Sequence, residues 1–282
     1  MAQVDSAEYK RTALENWQTM ASGWERRRAD IEKVTRPVTE WLVQALDPQP
    51  GDMVLELAAG PGDVGYAASP QLGDEGRLIS SDFSSEMVEV ARRRAAELGL
   101  TNVEHRVLDA EAIALDDDSV DGVLCRFGYM LMPDPAAALA ETRRVLRPGG
   151  RVALAVWSAP ERNPWISVGG RVLSGLGLVP PPQPGEPGMF VLADESRLRG
   201  LLEEAGFAVE RVEDVPVLFT YDDVAEYIAA ARETGGMFAR IWNATSDEQH
   251  EAIKTGLVEG FVPFAGDGGY ELPGVAVGAC AH

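Results

Sequence analysis

"VLELAAGPGD", residues 54–63, reads as a short apolar strand that runs into a glycine-containing loop. A loop of this kind after a strand usually cradles a nucleotide, and the surrounding sequence decides which one. Apolar runs of strand length lie at 53–57, 77–81, 103–108, 120–125 and 151–157. Helical patterns separate most of them. Between the second and third runs, Met87, Val90, Ala91, Ala95 and Leu98 share one face, and Gly99 suits the C′ position that ends a helix. Asp134 is placed to cap another helix, with Pro135 at its first position. Such alternation predicts an α/β fold, a doubly wound, Rossmann-like parallel sheet with helices on both faces.

Outward from this core the pattern changes. Residues 5–46 read as helical, because Trp17, Met20, Ala21 and Trp24 recur at i, i+3, i+4, i+7. Pro37 is expected to start a second helix there. These residues make 1–46 an N-terminal helical cap on a main domain at 47–282. After Trp157, residues 158–193 hold a helical segment and the proline-rich "VPPPQPGEPG", a lid-like insertion. Asp194 caps a helix carrying Leu198, Leu201, Leu202 and Ala205 on one face, and a sixth strand covers about 207–219. A second, helical insertion follows at 221–262. A last strand at about 270–280 completes a seven-stranded sheet.

The chain has 282 residues and a net charge of −20. That acidity opposes binding to phosphate backbones and anionic membranes and suits the handling of small molecules. Two cysteines, Cys125 and Cys280, are too few for a disulfide framework and fit a reducing cytoplasm. The N-terminus lacks the apolar core of a signal peptide. No apolar run approaches the roughly 18 residues needed to span a bilayer.

In an open α/β sheet the ligand crevice lies at the carboxyl ends of the strands, where strand order reverses. The first three strand exits all present acid: Glu56, Asp82, then Asp109 with Glu111. A dinucleotide site needs GxGxxG to seat a pyrophosphate on a helix N-terminus, and here the loop is ELAAGPG. The Gly-Lys-Ser/Thr ending of a P-loop is also missing. The implied ligand is a phosphate-free nucleoside whose ribose a carboxylate can grip and whose positive charge acid tolerates. S-adenosylmethionine matches that description.

With "VLELAAGPGD", "ISSDFSSEMVEVAR", "VLDAEAIAL", "DSVDGVLCRFGYMLMPDPAAALAETRRVLRPGGRVAL" and "ADESRLRGLLEEAGF" in order, the chain resembles the class I S-adenosylmethionine-dependent methyltransferases. It is most similar to the small-molecule branch that includes the ubiquinone/menaquinone-biosynthesis C-methyltransferases. The resemblance implies that Gly60 and Gly62 let the backbone approach the methionine part of the cofactor, and that Asp82 grips the ribose diol. By the same resemblance Phe83 and Met87 flank the adenine, and Asp109 and Ala110 meet its amine and ring edge. Arg126 and Phe127 form the wall toward the substrate. Glu56, Ala58, Pro61 and Glu111 complete the cofactor set. The family usually has glycine where Ala58 stands, so position 58 is expected to belong to the strand, with ordinary β dihedrals.

The wall Arg126-Phe127-Gly128-Tyr129 is not the Asn/Asp-Pro-Pro-Tyr of amino-methylating nucleic-acid enzymes, and "NPW" at 163–165 falls after the fifth strand. Together with the acidity, this argues against a nucleic-acid partner. Methyl transfer needs chiefly alignment, with a base only where the nucleophile must lose a proton. The candidates for that chemistry are Tyr129, just past strand four, and His250, in the second insertion. No metal-ligand cluster is apparent, and His105 reads as structural. Tyr9, Trp17, Trp24, Trp157, Trp165 and Trp242 point to an apolar pocket closed by the N-terminal helix and the insertion. The expected function is O- or C-methylation of a small apolar or aromatic acceptor, with a homo-oligomer as one allowed assembly. The alternatives are a catalytically inactive binding or regulatory protein on the same fold and, disfavoured by the missing GxGxxG, a nicotinamide oxidoreductase.

Overall fold

The computed structural model describes residues 6–180 and 187–282. Most of the proline-rich stretch therefore lies outside the described residues. Helix α1 (Ser6–Leu46) precedes the sheet elements β1 (Met53–Glu56), α2 (Asp63–Leu72), β2 (Arg77–Asp82), α3 (Ser85–Glu97) and β3 (Val103–Val107). Then come β4 (Val120–Arg126), α4 (Pro135–Val145), β5 (Leu146–Trp157), α5 (Pro164–Gly175) and α6 (Glu195–Glu204). The chain closes with β6 (Val209–Tyr221), α7 (Val224–Thr234), α8 (Gly236–Ala244), α9 (Asp247–Phe261), the two-residue β7 (Ala265–Gly266) and β8 (Gly269–Ala281).

The sheet order is β3-β2-β1-β4-β5-β8-β6, with β7 paired onto β8. The first five strands are parallel, and β8 runs antiparallel between β5 and β6. This is the doubly wound, seven-stranded plan expected from the sequence, with β7 as an added stub. Strand order reverses between β1 and β4, which puts the crevice at the exits of Glu56 and Arg126. Both faces of the central strands are covered, so their runs are apolar without alternation. Val123, Leu124 and Cys125 of β4 and Val152 to Val156 of β5 are fully buried.

Local signals placed the helices. Asp134 Oδ1 accepts from the Ala137 N–H at 2.9 Å, with Pro135 at the first position of α4. Ser84 caps α3 by accepting from the Met87 N–H. Asp194 caps α6 through the Ser196 N–H.

Pro37 does not start a second helix: α1 is a single helix of 41 residues that continues through it. Proline removes one hydrogen bond, to the carbonyl of Lys33. Pro37 and Lys33 are both exposed, so water can serve that carbonyl. Beyond the proline, Val38, Leu42, Val43 and Leu46 bury against the sheet and hold the helix in register. The end of α1 thus belongs to the main core, and only its first half sits as a cap. There Ala21 packs with Met87 and Val90 of α3, flanked by Trp17 and Trp24, as the spacing predicts.

Candidate active site at the strand exits

The loop after β1 is pinned from both neighbouring strands. The Leu57 N–H donates to the Leu124 carbonyl at 2.9 Å, and the Ala59 N–H to the Ser81 carbonyl at 2.9 Å. The Gly60 N–H donates to Asp82 Oδ2 at 3.0 Å. Gly60 has φ +53°, and a Cβ built there would meet nothing within 4 Å, so the loop's outer face is open at this point.

Ala58 departs from expectation. Strand β1 ends at Glu56, and Ala58 adopts φ +50°, in the left-handed region. The reason is the pinning at Leu57 and Ala59, which forces the chain to turn between two strands within one residue. An alanine there costs about 1–2 kcal/mol relative to a right-handed conformation. Phe127, just past the end of β4, has φ +63° and is pinned by its N–H to the Ala155 carbonyl at 2.8 Å. Two non-glycine residues in this conformation therefore flank the reversal point. Strain of this kind concentrates at functional sites.

Asp82 ends β2 buried beneath this loop. Oδ1 accepts from the Ser84 N–H at 2.9 Å, and Oδ2 from Gly60. Burial pushes its carboxyl up to about 6, against the pull of those backbone donors and that of Phe83. Each oxygen can still accept another bond. Phe83 is half-buried beside it.

Three expected cofactor residues turn out to do other work. Glu56 is 2% exposed and lies under the loop, accepting from the Gly65 N–H, while its Oε2 has no partner. Burial pushes it up to about 7, although Arg126 and Arg94 pull the other way. Met87 is buried in the α1–α3 seam with Ala21 and Val90, so it is a packing residue. Arg126 does not wall the substrate side. It donates to Thr35 Oγ1 at 2.7 Å and Thr39 Oγ1 at 3.0 Å on α1, and to Asp63 Oδ2 at 2.8 Å.

Asp63, not singled out from the sequence, also pairs with Arg94, which bonds the Pro61 carbonyl. This buried Arg-Asp-Arg triad locks α1, α3 and the glycine loop together. Breaking such a pair leaves an uncompensated charge, which is strongly destabilising.

At the exit of β3, Asp109 and Glu111 are tied to Lys10 of α1, both at 2.7 Å. Asp109 Oδ1 accepts from the Glu111 N–H, and Ala110 is buried between them. Next to Lys10, Tyr9 donates its hydroxyl to the Leu131 carbonyl at 3.2 Å. The first turns of α1 thus strap one rim of the crevice to the other. Nothing in the local sequence of Lys10 marks it, because the contact spans 99 positions.

Neither proposed base reaches the crevice. Tyr129 is fully buried, its hydroxyl 2.6 Å from Thr142 Oγ1 of α4, and burial raises its pKa well above the ordinary value. The turn after β4 directs the ring into the core. His250 stacks on Trp242 with ring centroids 4.0 Å apart, its Nε2 2.8 Å from the Trp242 carbonyl. It joins α9 to α8. His105 is structural, with Nε2 2.8 Å from the Tyr66 hydroxyl. Asn163 of "NPW" is fully buried, bonding Ser158, Ala159 and Val275 backbone.

Beyond Phe127 an aromatic row runs across the exits of β4, β5 and β6. Phe127 stacks on Trp157 at 4.1 Å, Trp157 meets Trp165 at 4.9 Å, and Trp165 stacks on Phe219 at 4.1 Å. Phe219, deep in the second half of the chain, was not picked out from the sequence.

Residues 54–150, from β1 to the start of the apolar part of β5, match the model of a methyltransferase domain family. This segment is similar to a methyltransferase domain. The matched segment covers the glycine loop, Asp82, the β3 exit and the left-handed turn at Phe127. Over 111 residues the chain is 37% identical to the ubiquinone/menaquinone biosynthesis C-methyltransferase UbiE of Francisella philomiragia, covering 39% of this chain and 44% of that protein. The chain spans about a third to under a half of the length of the curated relatives it matches. The fold is shared more widely. The YcgJ protein of Bacillus subtilis superposes with a TM-score of 0.57 at 22% identity, over 86% of this chain and 96% of that one. A SAM-dependent methyltransferase of Aquifex aeolicus gives 0.50 at 24% identity, over 67% and 90%. The matched segment is therefore part of a sheet whose fold, including the strands after it, is shared with these structures. Among the described residues, no helix is long and apolar enough to cross a membrane.

Proposed function

We propose that this chain transfers a methyl group from S-adenosylmethionine to a carbon or oxygen of a small apolar or aromatic molecule. The observation that carries this reading is the placement of Asp82 and the open face of Gly60 on one side of the reversal point, with the row from Phe127 to Phe219 on the other. The residues present fit the cofactor. Asp82 has acceptor capacity for two ribose hydroxyls, and Phe83 lies beside it. The bare face of Gly60 admits a close backbone approach, and Asp109 with Ala110 forms the far rim for the adenine. No phosphate-seating motif competes.

When bound, S-adenosylmethionine supplies a methyl group already activated on a sulfonium. The chain's own residues then bind, align and exclude water. The half-buried rings of Phe127, Trp165 and Phe219, backed by the buried Trp157, supply the apolar contacts that favour planar acceptors. Alignment alone can supply effective molarities of about 10⁵–10⁸ M. With Tyr129 and His250 removed from the crevice, the reading favours an acceptor that needs little help in losing its proton, such as an activated aromatic carbon. The quinone-pathway C-methyltransferases among its relatives support the same class. The two free, buried thiols, Cys125 and Cys280, support a reducing cytoplasmic setting.

The test is calorimetry with S-adenosylmethionine and, separately, NAD, followed by a radiolabelled-methyl screen of quinols and phenols. Binding of the first ligand alone and label transfer to a ring are expected. Tight NAD binding would sink the reading. Cofactor binding with no transfer to any acceptor would favour the inactive binding protein.

A further inference from the structure

A cleft of about 520 Å³ lies between α1, α7 and α8 and shares no lining residue with the strand-exit crevice. Arg26, Arg232 and Arg240, one from each helix, line it with Asn16, Asn243 and a single acid, Glu233. That acid is already engaged by Arg26 at 3.4 Å and Arg27 at 3.3 Å. Arg232 lies 5.6 Å over the Trp242 ring, a cation–π contact that consumes no N–H donor. Among the described residues, neither Arg232 nor Arg240 has an acidic partner.

This arrangement runs against the rest of the molecule. The chain carries 45 acidic and 25 basic residues, so carboxylates are plentiful. Several arginines collect them: Arg144 alone holds Glu141 and Asp117. In this cleft three guanidiniums face one spent carboxylate, which makes a local positive field inside a negative molecule. The walls are fixed. Gly23 of α1 runs so close to α7 that a Cβ there would fall 1.9 Å from the Glu233 carbonyl oxygen. The volume suits a small molecule. Planar guanidinium forks match the oxygens of phosphates and carboxylates alike.

We propose that the cleft lined by Arg26, Arg232 and Arg240 is a binding site for a small di- or polyanion, separate from the methyl-transfer crevice. The net charge of −20 disfavours a nucleic acid as the source of those phosphates. A free small molecule bearing two phosphates or two carboxylates is the ligand class.

The full chain is titrated by calorimetry with pyrophosphate and, separately, with succinate at low ionic strength, and the titrations are repeated on Arg232→Gln, Arg240→Gln and the double variant. Both side chains are exposed, so circular dichroism should show unchanged folding. Saturable binding of at least one probe is expected, with Kd below about 1 mM and roughly tenfold weakening per substitution, the scale of one charged hydrogen bond. The probe that saturates identifies the phosphate or carboxylate source. S-adenosylmethionine affinity should be unchanged in all variants, which keeps this result apart from the fate of the methyl-transfer reading. No saturation by either probe up to about 10 mM, or equal affinity in the double variant, would overturn the proposal.

Discussion

Ala58 and Gly128 face each other across the reversal point: a methyl added to Gly128 would sit 2.8 Å from the Ala58 Cβ and 2.6 Å from Cys125 Sγ. The methyl of Ala58 has thus taken the space a second methyl would need. Gly128→Ala should destabilise by about 1–3 kcal/mol through overpacking. Ala58→Gly should stabilise by about 0.5 kcal/mol, because relief of the left-handed conformation slightly exceeds the added freedom of the unfolded chain. The two should couple. In the Ala58→Gly background the Gly128→Ala penalty should shrink by at least about 0.5 kcal/mol, measured by urea unfolding of the four-member cycle. Strict additivity would mean that the two sites do not touch.

On the proposed reading, Asp82 gives cofactor binding a pH dependence. Its carboxyl is raised to about 6 in the folded chain, and only the ionised form accepts from both ribose hydroxyls. S-adenosylmethionine affinity should therefore fall as pH drops through about 6, following the uptake of one proton. Asp82→Ala should weaken binding by roughly 1.5–3 kcal/mol at pH 8 and flatten the profile. Calorimetry between pH 5 and 8 reads both effects. A wild-type profile as flat as the variant's would remove Asp82 from the ribose.

Glu56 gives stability the opposite trend. Its folded-state pKa, about 7, lies above the unfolded value near 4.3. The unfolded chain therefore loses this proton first, and stability declines as pH rises from about 4 through 7. Glu56→Gln keeps an acceptor toward Gly65 and removes the buried charge. The variant should gain on wild type between pH 5 and pH 8, by at most about 3 kcal/mol. Chemical denaturation at the two pH values is the measurement, and an unchanged difference would place the ionised form in a better-solvated setting.

The strap formed by Lys10 should be weak and salt-sensitive. Its bonds to Asp109 and Glu111 are partly exposed, a setting in which ion pairs contribute about 0–1 kcal/mol. Lys10→Met should lower global stability by less than about 1 kcal/mol. It should still speed amide exchange over the first turns of α1, with no change at Val38–Leu46. Hydrogen exchange by mass spectrometry resolves the two halves, and 0.5 M salt should mimic the substitution in wild type.

The sheet was legible because its signals are local. Apolar runs, caps such as Asp134 and Ser84, and the Gly99 stop each act within a few residues. The same holds for the acid at the end of β2 and for the glycine loop. What stayed hidden depends on partners far away in the chain. Asp63 looked like one more loop acid until Arg94 and Arg126 arrived on either side of it. Arg126 ends, and Tyr129 follows, a strand that stops at the crevice, yet their side chains bond to Thr35 of α1 and Thr142 of α4. The left-handed turn at Phe127, set by pinning to β5, decides that direction. Pro37 misled for the same reason, since exposure and burial around a proline decide whether a helix survives it.

The long helix α1 has two tenancies. Its last turns are foundation, shut inside the sheet's core, while its first turns are a shutter fastened by Tyr9 and Lys10. Between them Ala21, packed on Met87, and Gly23, pressed against the Glu233 carbonyl, hold the middle of the rod, so only its first turns can fray. Loosening that end leaves the buried part of the fold untouched.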